Sequence, residues 1–282
     1  MKITGRILKS VLAVFIVLAA ALAVFRFNMI NNGTIDTLGL YTDKAAGNLF
    51  AALVFTLIAL TVIFAFIISK SYFSKNKPNV LWTLSAALCM LLLIASGISS
   101  FSKQFGVSDT VLSAYAPVPQ KFDILLAIET VLLFASAVFF LTETVKCAKK
   151  SEKSNSILAL LPVVYLALRA IRMFMNIETQ INSSARSFTL LFLVVTMMFF
   201  LYEAEHSVPL GVLEKTDEQN AKRTAMYAGF GAVSAELAVI FVLAPMFAGG
   251  LSAGELMFGL SDLSLALFVA VRVFTLKNAD NQ

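Results

Sequence analysis

The sequence predicts an all-α, polytopic membrane protein that crosses the bilayer eight times. The chain of 282 residues is 59% hydrophobic and only 14% charged, whereas soluble domains are about 25% charged. Its apolar residues form long runs that would span roughly 30 Å of hydrocarbon at 1.5 Å per residue. The connections between the runs are too short for a soluble domain. We therefore expect one integral membrane domain over residues 1–282.

Eight apolar runs follow one another along the chain, separated by short charged or polar connections. About 20 predominantly apolar residues are the usual requirement for a transmembrane helix. In chain order, the predicted spans are 8–26, 48–69, 80–99, 122–142, 157–176, 187–203, 225–247 and 260–276.

The distribution of lysine and arginine predicts the side of the membrane that each connection faces. With a cytoplasmic N-terminus, 14 of the 22 basic residues fall in cytoplasmic segments and five fall on the opposite side. Cytoplasmic connections are enriched in lysine and arginine, so both termini are predicted to be cytoplasmic, in an inner or plasma membrane. The basic segments are expected to contact anionic lipids. Because the positive charge is divided among separate connections, it does not indicate nucleic-acid binding.

The first run has an alternative interpretation as a signal peptide. Three basic residues within the first nine positions precede an apolar segment over 11–20, and Ala21-Leu22-Ala23 resembles a cleavage site. Cleavage would leave seven spans and an external N-terminus. The apolar run continues through Val24 and Phe25, which favours an uncleaved helix.

Short internal similarities suggest two four-helix halves. Phe55–Ile58 in the second run resembles Phe188–Leu191 in the sixth, and Asp123–Ala127 in the fourth resembles Asp262–Ala266 in the eighth. Repeats separated by an even number of spans would be parallel in the membrane. We therefore expect a 4+4 pseudo-repeat.

The fifth run carries a polar stripe that is the strongest indication of a functional site. Tyr165, Arg169, Arg172 and Asn176 are spaced four, three and four residues apart, which places them on one face of a helix. Charged side chains within a span face protein or water rather than lipid. The stripe is therefore predicted to face the bundle interior, in the outer half of the membrane, as a ligand-binding surface.

Four acidic residues are predicted counter-charges to these arginines. Glu129 lies at the depth of Arg169 on the preceding, antiparallel run, so the two are expected to pair. Asp123 approaches the level of Arg172. The list is completed by Glu236 in the seventh run and Asp262 at the start of the eighth.

One further arginine, Arg272, lies near the inner end of the eighth run. A long basic side chain at such a position can extend to the lipid headgroups. The sequence therefore predicts no role for it in a site.

Two interpretations of the charges remain open. In one, they form a buried ion-pair network that fixes the register of the helices, with little net gain in stability. In the other, the arginines face an outward-open cavity and bind an anionic group, because the planar guanidinium matches carboxylate or phosphate.

Catalytic signals are sparse. His206 is the only histidine, which excludes multi-histidine metal sites, and no nucleotide-binding glycine motif is present. Cys89 and Cys147 show no metal-ligand spacing, and a disulfide between them is not expected. We therefore expect no metal, no cofactor and no enzymatic activity; a lipid-modifying enzyme is the third-ranked alternative.

The favoured function is a small-molecule transporter or membrane binding subunit with an outer cavity that recognises an anionic group. The alternative is a non-transporting membrane sensor or assembly partner that acts through its helix faces and cytoplasmic connections. The sequence specifies no substrate, coupling ion or oligomeric state.

Overall fold

The computed structural model describes residues 5–36, 39–68, 73–74, 79–105, 123–149, 157–175, 184–206, 217–249 and 251–278. Most of these residues are helical, in the elements α1 (Gly5–Asn31), α2 (Lys44–Ile68), α3 (Val80–Phe105), α4 (Ile124–Ala148), α5 (Leu160–Met175), α6 (Ser184–His206), α7 (Asp217–Ala238), a π-helical turn (Val239–Leu243), α8 (Ala244–Ala248) and α9 (Ala253–Phe274). Two short strands, β1 (Phe73–Ser74) and β2 (Lys277–Asn278), pair in antiparallel orientation, with Phe73 opposite Asn278.

Within the described ranges, seven stretches of helix are long and apolar enough to cross a membrane, so the chain is of the multi-pass membrane class. They correspond to seven of the eight predicted spans. The predicted span 157–176 differs, because α5 has only 16 residues, about 24 Å at 1.5 Å per residue. The seven stretches are Lys9–Asn31, Lys44–Ile67, Val80–Ser102, Ile124–Ala148, Arg186–Glu205, Lys222–Ala248 and Ala253–Phe274.

The short helix α5 runs antiparallel to both α4 and α6. Its C-terminal part lies beside the start of α4, where Arg172 and Asp123 form an ion pair. It also lies beside the start of α6, where Arg186 donates to backbone carbonyls of α5. At the other end of the bundle, Arg272 of α9 contacts glutamates of both α4 and α6. Helix α5 therefore packs against α4 and α6 with its C-terminal part at the end of the bundle where both of those helices begin.

Local sequence signals determine where α4 begins, where α8 ends and where α9 begins. Asp123 caps α4 by accepting a hydrogen bond from Leu126 N–H at 3.0 Å. Gly249 ends α8 with φ 80°, a backbone conformation that favours glycine. Ser252 and Glu255 then form a capping box at the start of α9. As a result, α9 begins before the predicted position 260, and Asp262 lies within the helix rather than at its start.

These helix ends bear on the predicted repeat. Its two matched aspartates occupy different structural positions, since Asp123 caps a helix whereas Asp262 is a buried residue inside one. The 4+4 repeat stays a prediction.

Helix α7 lies at the centre of the bundle, in contact with α1, α2, α6 and α9. Its surface of small residues permits this close approach: Ala228 and Ala232 are buried, and Gly229 faces Ala65 of α2. At Gly231, a Cβ atom would overlap Val273 of α9.

We expect Gly231→Ala to lower the free energy of unfolding by about 1–3 kcal/mol, the usual cost of overpacking a core. The matched control is Gly259→Ala, where the nearest atom to the new Cβ would be the flexible Met246 Sδ at 3.0 Å. Both changes add a methyl group to a helix, so both gain helix propensity. Thermal unfolding in detergent measures the difference; equal midpoints for the two variants would contradict the close α7–α9 contact.

Candidate functional site

An open cavity of about 420 Å³ lies at the end of the bundle where α4 begins, and we call this the cavity end. One wall is apolar and includes Phe241 and Val242 of the π-helical turn, Met246 of α8 and Phe258 of α9. Its volume falls within the range of small-molecule sites. The charged lining residues are Glu129, Arg169, Arg172, Glu255 and Asp262.

Arg169 of α5 is held by Asp262 of α9. The pair is bidentate: Nη2 donates to Oδ2 at 2.8 Å and Nη1 donates to Oδ1. Nη1 also donates to the hydroxyl of Tyr165 at 3.4 Å, and the guanidinium lies 5.3 Å from the ring centre of Phe258. The predicted pairing of Arg169 with Glu129 is therefore wrong.

Arg172 is the partner of Glu129 instead, and it is the more accessible arginine. Its Nη1 donates to Glu129 Oε2 at 2.6 Å, and its Nε lies 3.6 Å from Asp123 Oδ2. The Arg172 side chain is 33% exposed, against 15% for Arg169. Its Nη2 has no hydrogen-bond partner within the described part of the chain.

The residue at which α9 begins explains why Arg169 does not pair with Glu129 as predicted, and why Arg172 does. Because α9 begins at Ala253 rather than near residue 260, Asp262 lies within the helix and reaches the level of Arg169. Glu129 then meets Arg172, which is one helical turn from Arg169 on the same face.

The other predicted site residues have separate positions. Tyr165 is fully buried beneath Arg169 and does not line the cavity. Asn176 lies outside the described residues. Glu236 neither lines the cavity nor pairs with an arginine among the described residues; its Oε1 lies within hydrogen-bond distance, 2.7 Å, of the hydroxyl oxygen of Thr61 of α2. Its predicted role as a counter-charge to the arginines is therefore not observed.

A buried arginine on α1 was not predicted as part of a site. Arg26 is 3% exposed, and its guanidinium lies 4.6 Å from the ring centre of Phe241 and 5.9 Å from that of Phe50. Phe241 in turn stacks on Phe188 with ring centres 4.2 Å apart. Cation–π contacts of this kind partly replace the water that the guanidinium has lost. The wall of the cavity formed by Phe241 is therefore backed by a cation.

A second charged cluster, the network end, lies at the opposite end of the bundle. Arg272 is buried and pairs with Glu203 of α6, with Glu143 of α4 at 3.8 Å, and with the face of Trp82 at 3.4 Å from the ring centre. The hydroxyl of Tyr227 donates to Glu203 at 2.6 Å. The prediction that Arg272 extends to the headgroups is wrong, because the glutamates and aromatic rings of neighbouring helices enclose its guanidinium.

The charged cluster at the network end was not predicted from the sequence, because of where its glutamates lie in the apolar runs. Glu143 and Glu203 each lie near the end of an apolar run, where an exposed position is the usual expectation for a charged side chain. A signal existed in Trp82, whose ring could accept a nearby cation, but Trp82 and the charged residues of this cluster lie on four helices, α3, α4, α6 and α9, which are spread over most of the chain.

The arrangement at the cavity end suits binding more than catalysis. A guanidinium with exposed donors can hold a carboxylate or phosphate, and the apolar wall can cover the remainder of a small molecule. Within the described ranges, no group of three or more histidine, cysteine, aspartate or glutamate side chains could hold a metal ion.

Comparison of the chain with family models, with curated proteins and with solved structures finds no match.

Proposed function

We propose that this multi-pass membrane protein is a small-molecule transporter that binds its ligand in the outer cavity through Arg172. The observation that carries the proposal is the state of this side chain. It faces a cavity of about 420 Å³, it is one-third exposed, and its Nη2 is without a hydrogen-bond partner among the described residues. A charged donor held in place by Glu129 and Asp123 is oriented before the ligand arrives, which reduces the entropy cost of binding.

The charged side chains that line the cavity favour a ligand that carries both a positively and a negatively charged group. Three carboxylates and two guanidiniums line the cavity, so a purely anionic ligand would meet a surplus of negative charge. A zwitterion can place its anionic group on Arg172 and its cationic group towards the carboxylate side. The apolar wall suits a hydrophobic body between or beside the two groups. We therefore infer a small zwitterionic molecule with an apolar portion.

The topology of the bundle is part of the proposal. A crossing by α5 makes eight spans, with both termini in the cytoplasm of a cell bounded by this inner or plasma membrane. The cavity end is then external and the network end cytoplasmic. Basic segments at the cytoplasmic face would contact anionic lipids. The open cavity at one end and the buried ion pairs at the other support an outward-open state of such a transporter.

A specific observation favours one alternative function, a sensor or assembly partner without transport. Both terminal nitrogens of Arg169 are engaged by Asp262, as in a purely structural ion pair. If Arg172 has the same role, no ligand depends on it. The experiment on Arg172 therefore separates the two functions.

We expect Arg172→Gln to lose a co-purifying ligand by about tenfold or more in occupancy, since a hydrogen bond to a charged group contributes about 1.5–3 kcal/mol. Native mass spectrometry of the protein purified in mild detergent gives the occupancy and the mass of the bound molecule. The matched control is Arg223→Gln, whose guanidinium pairs with Glu205 away from the cavity.

The double variant Glu129→Gln/Arg172→Gln is a control for loss of ligand through misfolding. It removes both charges of the ion pair, so no buried carboxylate is left unpaired. It should unfold near the wild-type temperature and still lack the ligand. A ligand retained in both variants, or no bound molecule in the wild-type protein, would overturn the proposed function.

A further inference from the structure

Glu236 is a buried acid that the outer cavity does not use. It lies near the middle of the stretch Lys222–Ala248 and is 1% exposed. Acidic residues at such positions are rare in membrane proteins and are most often associated with ion or proton pathways.

No cation neutralises Glu236 within the described part of the chain. Its Oε1 contacts the hydroxyl of Thr61 at 2.7 Å, and its Oε2 has no hydrogen-bond partner there. The charged side chains of the helices packed against α7 lie nearer the two ends of the bundle, and none of them pairs with Glu236. On α1, α2, α6 and α9, those whose side chains the structure describes are Lys9, Arg26, Lys44, Arg186, Glu203, Glu205, Glu255, Asp262 and Arg272. An unpaired carboxylate in an apolar interior is very costly, and a bound proton removes that cost.

The hydrogen bonds around Thr61 support a protonated carboxyl group. The Thr61 Oγ1 atom lies 3.1 Å from the Leu57 carbonyl oxygen and 2.7 Å from Glu236 Oε1. A hydroxyl has one hydrogen to donate, so it cannot fully satisfy both oxygens. If Glu236 carries a proton, it donates to Thr61, and Thr61 donates to Leu57. The Glu236 proton, the Thr61 hydroxyl and the Leu57 carbonyl then form one chain of hydrogen bonds, and among these atoms only Glu236 Oε2 keeps no partner within the described residues.

The position of Glu236 connects it to the cavity. It precedes by three residues the π-helical turn Val239–Leu243, whose Phe241 and Val242 line the cavity wall. π-helical turns within α-helices occur frequently at functional sites, because they depart from the regular hydrogen-bond pattern. A change of charge at Glu236 alters the contact between α7 and α2 directly below this irregular turn.

We propose that Glu236 is the proton-binding site of the protein, and that its protonation controls the access of ligand to the outer cavity. The proposal rests on the proposed transport function and names the coupling ion, a proton. Protonated Glu236 bonds to Thr61 and holds α7 against α2. Loss of the proton leaves a buried carboxylate that only a rearrangement, or entry of water, can accommodate.

Infrared spectroscopy tests the proton itself. In reconstituted protein near neutral pH, we expect a protonated carboxyl C=O band that is lost in Glu236→Gln, an isosteric change that retains hydrogen bonding to Thr61. The matched control, Glu205→Gln, removes an acid that pairs with Arg223 and should keep the band. A band that persists in Glu236→Gln, or is missing from the wild-type protein, would overturn the proton site.

Thiol labelling tests the link to the cavity without knowledge of the ligand. In a chain lacking Cys89 and Cys147, the change Val242→Cys places a thiol in the cavity wall, and external methanethiosulfonate ethylsulfonate reports its accessibility. The measured quantity is the ratio of the labelling rates in mildly alkaline and mildly acidic buffer. We expect this ratio to be at least about fivefold larger in the protein that retains Glu236 than in its Glu236→Gln variant, the lower end of ordinary coupling between sites. The ordinary pH dependence of a thiol is present in both proteins. A negative charge on Glu236 would disfavour the thiolate and repel the anionic reagent, so these effects act against the expected increase and cannot produce it.

The two proposals fail in different ways in this experiment. Absence of labelling at every pH, with or without the Glu236→Gln change, would show that the cavity is not open to the outside and would overturn the proposed function. Labelling with the same pH ratio in both proteins would leave the cavity in place and overturn the role of Glu236.

Discussion

Arg272→Gln is expected to lower the free energy of unfolding by about 3–5 kcal/mol, the usual cost of breaking a buried ion pair from one side. The change removes the buried ion pair with Glu203 and the contact to Glu143. Thermal or denaturant unfolding in detergent measures the loss. Because stability margins of proteins are about 5–15 kcal/mol, this variant should be among the least stable single substitutions in the chain.

The single tryptophan provides a local readout of the same change. Trp82 is the only tryptophan in the sequence, and the Arg272 guanidinium covers its ring at 3.4 Å from the centre. We expect Arg272→Gln to increase quenching of the Trp82 fluorescence by acrylamide. Arg272→Lys should have an intermediate effect, since lysine keeps the charge but lacks the planar group that stacks and pairs bidentately.

The control for this experiment is Arg223→Gln, which removes an ion pair with Glu205 that is partly exposed at the same end of the bundle. Such pairs contribute about 1 kcal/mol or less. If Arg272→Gln proved as stable as Arg223→Gln, with unchanged quenching, the buried network would not hold this end together.

Arg169→Gln and Asp262→Asn are each expected to destabilise the protein by about 3–5 kcal/mol. The two side chains are largely buried, at 15% and 5% exposed, and each leaves the other unpaired when it is replaced. The double variant Arg169→Gln/Asp262→Asn should lose less than the sum of the single losses. The difference, measured by unfolding of all four proteins, is the coupling energy of the pair.

This expectation separates the two arginines, which were both predicted from the sequence to be ligand contacts. Arg169 is held by two hydrogen bonds to Asp262, so its replacement is expected to act mainly on stability, whereas Arg172 is one-third exposed and is the arginine proposed to bind the ligand. Additive losses for Arg169 and Asp262 would contradict a direct pair. A normal stability of Arg169→Gln combined with loss of ligand would return Arg169 to the binding site.

Periodicity and composition were sufficient for the helical membrane class and for the polar face of α5. A run of apolar residues has one stable solution in a bilayer, a helix that satisfies its own backbone, and seven such helices are present among the described residues. The spacing of Tyr165, Arg169 and Arg172 likewise placed them on one face, since helical geometry depends only on position in the chain. These properties are local, so the sequence alone determined them.

The tertiary structure decided which acidic residue pairs with each buried arginine. Depth along neighbouring helices suggested Glu129 for Arg169, but the capping box at Ser252 starts α9 earlier and brings Asp262 to that level. Arg272 is buried because α4 and α6 converge on it. Pairing depends on the relative height and rotation of helices that are remote in sequence, and a difference of one helical turn exchanges one partner for another. The sequence therefore determined which charges lie within the apolar helices, and only the packing decided which acid pairs with each arginine and which arginine stays exposed to the cavity.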